Sequence, residues 1–201
     1  MRNAPSTAKG RATVQRVLDA ACVLFARQGV RATTLDQVGE LSGTGRGQLY
    51  LYFAGKADLV AAVVAQQVDR VLDAQQPLLG SIGTAADVRT WCALAVQAYA
   101  DDDAVRCPIG SLVHELGERD AAARAALAAG FGRWRAALAE GLRRVHERGE
   151  LSAGVDPDAA AAALLAAYQG GVLLSGATGD REHLRLALEA FQLTVLTGPP
   201  R

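Results

Sequence analysis

The sequence predicts an all-α protein, on three observations. Apolar residues recur at three- and four-residue spacing along most of the chain. Ala and Leu dominate, aromatic residues make up only 5%, and β-branched clusters are rare, a composition suited to helices. Capping and breaking residues punctuate the periodic runs near their ends.

In chain order, residues 1–10 are polar and read as a disordered arm. Val14, Val17, Leu18, Ala21, Leu24 and Phe25 share one face of a first helix over about 13–28, which Gly29 ends with a left-handed cap. Thr34 and Gln37 form a T-x-x-Q capping box for a second helix, with Leu35, Val38 and Leu41 on its buried side. Gly43, Gly45 and Gly47 crowd the turn that follows. A third helix covers about 46–52. A fourth runs from Lys56 to about Gln76, where Pro77 stops it. Further helices are expected over 87–100, after Cys107-Pro108, and over 120–148 with Gly149 at the end. Asp156-Pro157 marks another start, an N-cap followed by Pro at the first helical position. A last helix covers 180–196 and ends at Gly198-Pro199. Residues 101–103, all Asp, read as a solvated loop. No strand signal and no internal repeat emerges.

Residues 33–56 are the most informative stretch: two short helices joined by a glycine-rich turn, then a Lys opening a third. Such a unit can place its second helix in the major groove of DNA. At about 100° per residue, Leu49 and Phe53 fall together and must face the core. The opposite side carries Gly47, Gln48 and Leu51, flanked by Tyr50 and Tyr52, with Arg46 at the start. Gly47 admits close backbone approach. Gln48 suits bidentate pairing with adenine, and Leu51 suits a thymine methyl. The Tyr hydroxyls and Lys56 suit phosphates, and Thr33 and Thr34 lie at a helix N-terminus whose amides also favour phosphate. The alternative is that the tyrosines simply pack and the glycines loosen a turn.

Charge divides the chain. Residues 1–56 hold eight basic side chains and three acidic ones, against a formal net charge of zero overall, so the remainder is correspondingly acidic. A basic head on an acidic body suits a polyanion-binding module on a partner that avoids polyanions; the alternative is a chance imbalance. Three cysteines, an odd number, do not make a disulfide framework and suggest a reducing cytoplasm. No secretory leader is apparent. The most apolar stretch, residues 159–174, is interrupted by Gln169, Gly170 and Gly171 and reads as a buried interface helix, so no membrane span is expected. No cofactor motif is present: the GTGRG of residues 43–47 lacks the spacing and preceding strand of a phosphate-binding loop. No Cys/His spacing suggests a metal. Ser111, His114, Glu115 and Glu118 read as a solvated helix face, with no second element to complete a triad, so an enzyme is not expected.

At this point the head resembles the TetR family of bacterial repressors. That family typically shows L-F-x-x-x-G, then T-T, then G-V-S-x-G-x-L-Y-x-Y-F-x-x-K. The matches are Leu24, Phe25, Gly29, Thr33, Thr34, Gly43, Gly47, Leu49, Tyr50, Tyr52, Phe53 and Lys56, over about residues 13–65. The chain departs from the pattern at Thr44 and Gly45, which stand for the usual Val and Ser. It also departs at Gly55 for Ser and at Gly39 for Ala, the last costing about 1 kcal/mol inside a helix unless close packing requires it.

The resemblance implies a DNA-binding domain over 1–56 and a ligand-binding and dimerisation domain over 57–201. It implies a homodimer closed by a four-helix bundle of the last two helices from each copy. Ala159, Ala163, Ala166, Ala167, Gly170 and Gly171 would allow close approach there, and Leu164, Leu165, Val172, Leu173, Leu186, Leu193 and Leu196 would supply apolar area. Other body helices would surround a ligand cavity, lined by Trp91, Leu94, Cys107, Leu112, Phe131, Trp134, Tyr168, Gln169 and Val172; each is equally a plain core residue. Cys107 follows Arg106 and precedes Pro108 at an expected helix start, a setting that favours thiolate, and RCPIGSLVHEL resembles a branch of the family whose Cys responds to electrophiles or oxidants. The alternative is an inert buried thiol; Cys22 and Cys92 fall on apolar faces. Two functions stay open. One is a homodimeric, ligand-responsive repressor of a palindromic operator, released by a small molecule or thiol modification. The other is a helical small-molecule-binding or thiol-reactive protein with a vestigial head.

Overall fold

A computed structural model describes residues 3–99 and 121–198, and these are helical throughout, without a named strand. The helices are α1 (Ala8–Ala32), α2 (Leu35–Ser42), α3 (Arg46–Tyr52), α4 (Lys56–Gln75), α5 (Leu78–Ser81), α6 (Ala85–Ala98), α7 (Ala121–Glu147), α8 (Pro157–Thr178) and α9 (Glu182–Val195). The helix expected after Cys107-Pro108 lies outside the described residues.

The chain divides into two compact units. The first holds the residues up to Arg70 and, of α7, residues 121–130; the second holds 71–99 and 131–198. The division falls after Arg70, inside α4.

In the first unit, α1 begins earlier than its apolar spacing implies. Thr7 caps it, its hydroxyl accepting from the Gly10 amide at 3.0 Å. Residues 3–10 are therefore placed, not a free arm. The break near the far end is where the glycine rule put it: Gly29 has φ 82° and ψ 158°, and one more turn follows to Ala32. Val17, Ala21 and Phe25 of α1 are buried, as are Val38 of α2, Leu49 and Phe53 around α3, and Leu59, Val63 and Val64 of α4. The capping box of α2 is complete: Thr34 accepts from the Gln37 amide, and Gln37 Oε1 accepts from the Thr34 amide at 2.8 Å. Leu41 is not on the buried side of α2; it is exposed at the turn.

The second unit is tied together at its ends. Thr84 and Asp87 form a capping box that opens α6 at Ala85, two residues earlier than the apolar run alone suggests. The Thr84 side chain, the main cause, together with the Gly83 and Thr84 amides, holds the Asp87 carboxyl below its ordinary range. Arg144 of α7 donates to the carbonyls of Ile82 (2.7 Å) and Gly80 (3.1 Å), fixing the C-terminal end of α5. Glu150 accepts from the Ala85 amide at 2.6 Å, and Leu151 pairs with Leu196 in a single antiparallel bridge. Asp156 caps α8 as expected, accepting from Ala159.

α8 is long and apolar enough, by length and composition, to cross a bilayer, which the sequence reading did not anticipate because it weighted the glycines as breaks. In this fold 44% of its most apolar window is buried within the chain. Part of that burial is against α9. The two helices pack closely enough that a Cβ on Gly171 would lie 2.7 Å from Leu184 Cα. Ser175, fully buried, accepts from the Leu184 amide at the same seam.

Gly171→Ala therefore sets a small gain in helix propensity against a clash with backbone that cannot rotate away. It should lower stability by about 1–3 kcal/mol in urea unfolding. Gly132→Ala, in open space on α7, should raise stability by up to about 1 kcal/mol. Equal shifts for the two variants would contradict the packing argument.

Candidate nucleic-acid interface

α3 has seven residues, too few to be stable alone, so its environment must hold it. Two anchors do so. Leu49 and Phe53 are buried at 2% and 1% exposure, and both lie on the side that helical spacing assigned to the core. On the opposite side Gln48 and Gly47 are exposed, and Leu51 is 52% exposed.

The turn into α3 explains one departure in the sequence. A Cβ on Gly39 would lie 3.0 Å from both Leu49 Cδ1 and the Thr44 carbonyl oxygen, so α2 and α3 approach closest there. Close packing, not tolerance, accounts for the glycine. Thr44 occupies a buried position, and its hydroxyl has no hydrogen-bond partner; the site accepts the shape of a β-branched residue and leaves the polar atom unused.

The other expected DNA contacts divide. Tyr50 is exposed and flanks the bare side. Arg46 is exposed and pairs loosely with Asp36 at 3.5 Å. Thr34 is exposed at the head of α2. Lys56 donates from Nζ to the Arg31 carbonyl at 3.0 Å, which holds its ammonium beside the end of α1. Tyr52 and Thr33 are placed differently from the expectation. Tyr52 is turned inward at 9% exposure, its hydroxyl near Gly10. Thr33 is 1% exposed and donates to the Gly29 carbonyl at 2.8 Å, closing the broken end of α1. A helical wheel puts Tyr52 beside the bare stripe, but it cannot show that α1 lies across that flank.

The second unit holds an aromatic cluster around Tyr168 of α8. Its ring centroid lies 5.2 Å from Trp134, 5.6 Å from Trp91 and 6.2 Å from Tyr99. The Tyr99 and Tyr168 hydroxyls are 2.9 Å apart, and Trp91 Nε1 donates to Gln75. Trp134 is completely buried, and its Nε1 has no hydrogen-bond partner. Of the expected lining, Trp91, Trp134, Tyr168 and Val172 are buried, while Phe131 and Gln169 are half-buried. Leu94 does not join them: it is half exposed on α6, whose apolar spacing is too loose to fix which side is covered. Cys107 and Leu112 lie outside the described residues. Tyr99 was not anticipated, since no spacing links it to Tyr168. Among the described residues no group of three or more His, Cys, Asp and Glu could hold a metal.

Two family models match the chain. Residues 17–63 match bacterial regulatory proteins of the tetR family, and residues 85–191 match the tetracyclin repressor-like C-terminal domain. Among curated proteins, the transcriptional regulator AcuR of Cereibacter sphaeroides is 30% identical over 79% of this chain and 74% of its own length. An uncharacterised HTH-type transcriptional regulator of Pseudomonas putida, TtgW, is 36% identical over 55% of this chain and 76% of its own length. Among solved structures, a regulatory protein TetR from Rhodobacter sphaeroides covers 90% of this chain and 98% of its own at 25% identity, with a TM-score of 0.73. Reduced NemR of E. coli shares the fold at 21% identity, covering 92% of this chain and 98% of its own, with a TM-score of 0.79.

The two described thiols are poor nucleophiles. Burial pushes the Cys92 thiol up to about 12. Burial also raises Cys22, Arg70 opposing and Asp19 adding to it, and Gln67 Nε2 donates to its sulfur at 3.3 Å. At mildly alkaline pH Cys92 is therefore held as the thiol, the weakly reactive form. Dithiobisnitrobenzoate at that pH should leave Cys92 unmodified in the native chain and modify it once urea is added, as read by peptide mass spectrometry. Rapid native labelling of Cys92 would refute its burial.

Proposed function

Because the chain belongs to the tetR family of bacterial regulators, we propose that it is a cytoplasmic, ligand-responsive repressor. In this reading it binds a palindromic operator as a homodimer, and a small molecule or modification of Cys107 releases it. The observation that carries the reading is the bare side of α3, with Gln48 and Leu51 presented outward from a helix anchored by Leu49 and Phe53.

In the proposed complex Gln48 pairs with a base edge and Leu51 touches a methyl, while Arg46, Tyr50, Thr34 and Lys56 hold phosphates. Thr33 and Tyr52 act from inside, by fixing α1 against the reading unit. A palindrome requires two copies, and the second unit offers a surface for that. Leu173 and Leu174 of α8 and Leu186 and Leu193 of α9 are each half exposed or more, beside exposed Ala163 and Ala166. Four large apolar side chains on two packed helices suit a self-complementary, twofold interface.

The ligand reading is supported by Trp134, a fully buried donor without an acceptor in a cluster of aromatic rings. A buried N–H left unpaired costs about 1–3 kcal/mol, which a ligand acceptor would recover. Ligand uptake then shifts the dimer toward a conformation whose reading helices no longer match half-sites about 34–36 Å apart. For Cys107 the support is its setting between Arg106 and Pro108, which favours thiolate.

Duplex binding tests the reading, using DNA recovered from a random-sequence pool by the wild-type chain. Gln48→Ala should lose about 10- to 100-fold in affinity with an unchanged melting temperature. Leu193→Glu should sediment as a monomer and lose tight binding. Recovery of no preferred duplex would overturn the repressor reading and favour a helical binding protein with a vestigial head. For the ligand, Trp134→Phe keeps a ring and removes the donor. It should blunt release by whichever compound frees the wild-type chain from that duplex; an unaltered response would discard Trp134 as the anchor.

A further inference from the structure

The aromatic cluster of the second unit lacks one acceptor. Trp91 Nε1 donates to Gln75 Oε1 at 3.2 Å, and the Tyr99 and Tyr168 hydroxyls pair at 2.9 Å. Trp134 Nε1, shut away from solvent, has no such partner. An indole nitrogen is a donor only. Whatever completes it must therefore bring an acceptor, which an ammonium or guanidinium group cannot do.

The surroundings are also uncharged. Every position three or four residues from Trp134 or Tyr168 along its helix is Gly, Ala, Val, Leu or Phe. Arg133 and Arg135 adjoin Trp134 in sequence, but both are exposed, and adjacent residues on a helix do not share a face. Cys92, next to Trp91, reports the same setting: burial alone pushes its thiol up to about 12. Cys22 differs, since Arg70 opposes the effect of burial there. A carboxylate or phosphate entering beside Trp134 would lose its hydration without gaining a counter-charge from these positions, and a buried charge left so is strongly disfavoured.

We propose that the compound taken up beside Trp134 is uncharged and mainly apolar, and presents a carbonyl-, nitro- or ether-type oxygen to Nε1. The inference rests on the reading of this cluster as the ligand site, and adds to it the ligand's charge and the group it offers. Trp91 and Tyr168 supply ring faces and edges against which an aromatic compound packs.

The test uses four benzene derivatives of similar size: acetophenone, ethylbenzene, benzoate and benzylammonium. Trp91 and Trp134 are the only tryptophans in the chain, so both indole N–H signals in a proton–nitrogen correlation spectrum report on this cluster. Trp134→Phe assigns them, and its melting temperature checks that the fold is kept. Titration of the wild-type chain with acetophenone should shift the Trp134 signal downfield, as a new acceptor does. Acetophenone should bind at least about 10-fold more tightly than benzoate or benzylammonium at neutral pH. Trp134→Phe should weaken acetophenone by about 3- to 10-fold and leave ethylbenzene, which has no acceptor, unchanged. Benzoate or benzylammonium binding as tightly as acetophenone, with a shift at Trp134, overturns the uncharged class while the cluster stands as a ligand site. Equal losses for acetophenone and ethylbenzene in Trp134→Phe overturn the acceptor role. If none of the four compounds moves the Trp134 signal, the reading of the cluster as the ligand site falls, and this inference with it.

Discussion

Burial of Leu49 and Phe53 is the constraint from which the rest of the head follows. A helix of seven residues has almost no stability of its own, so tertiary contacts decide both its existence and its rotation about its axis. Turning α3 by one residue would bury Gln48 and expose Leu49. The two anchors therefore fix which side chains face outward, and the neighbouring elements are shaped to accept them. Gly39 lets α2 approach closely, and Thr34 with Gln37 fixes where α2 starts. Thr33 spends its hydroxyl on α1, and Tyr52 fills the seam with Gly10 and Pro5.

The second unit solves a different problem. Its helices are long enough to be stable through packing, but many of their residues are alanine, which buries little area per side chain. Close approach compensates, as at Gly171 on Leu184, and polar ties lock the ends. Arg144 on the C-terminal end of α5, Glu150 on the start of α6 and Arg89 on the carbonyls of Thr197 and Gly198 together bind the first and last helices of the unit. Each uses charged side chains on backbone groups that helix ends leave open.

Much of this was legible in the sequence, for identifiable reasons. The bounds of α3 and the cap of α8 came from local signals, a turn rich in glycine and the Asp156-Pro157 pair. Gln48 and Leu51 were placed outward by spacing alone. What failed required knowledge of neighbours. Tyr52 and Thr33 look available on a wheel and are covered by α1. Leu41 looks buried by periodicity and Leu94 is a candidate for the cavity lining, and both are half exposed. The start of α1 was missed because Thr7 and Gly10 make a cap without an apolar run behind it. The Thr84–Asp87 box is also a local signal, and it sets the start of α6 ahead of the apolar run.

The leucine ridge on α8 and α9 has a thermodynamic corollary. If a second copy covers it, the folded state is a product of association, and its stability grows with the logarithm of protein concentration. A cell holding few copies would then hold them as less durable single chains, with sticky ridges open to proteases and chaperones. Abundance and lifetime would be coupled, so the switch would weaken faster than its copy number as the protein is diluted by growth.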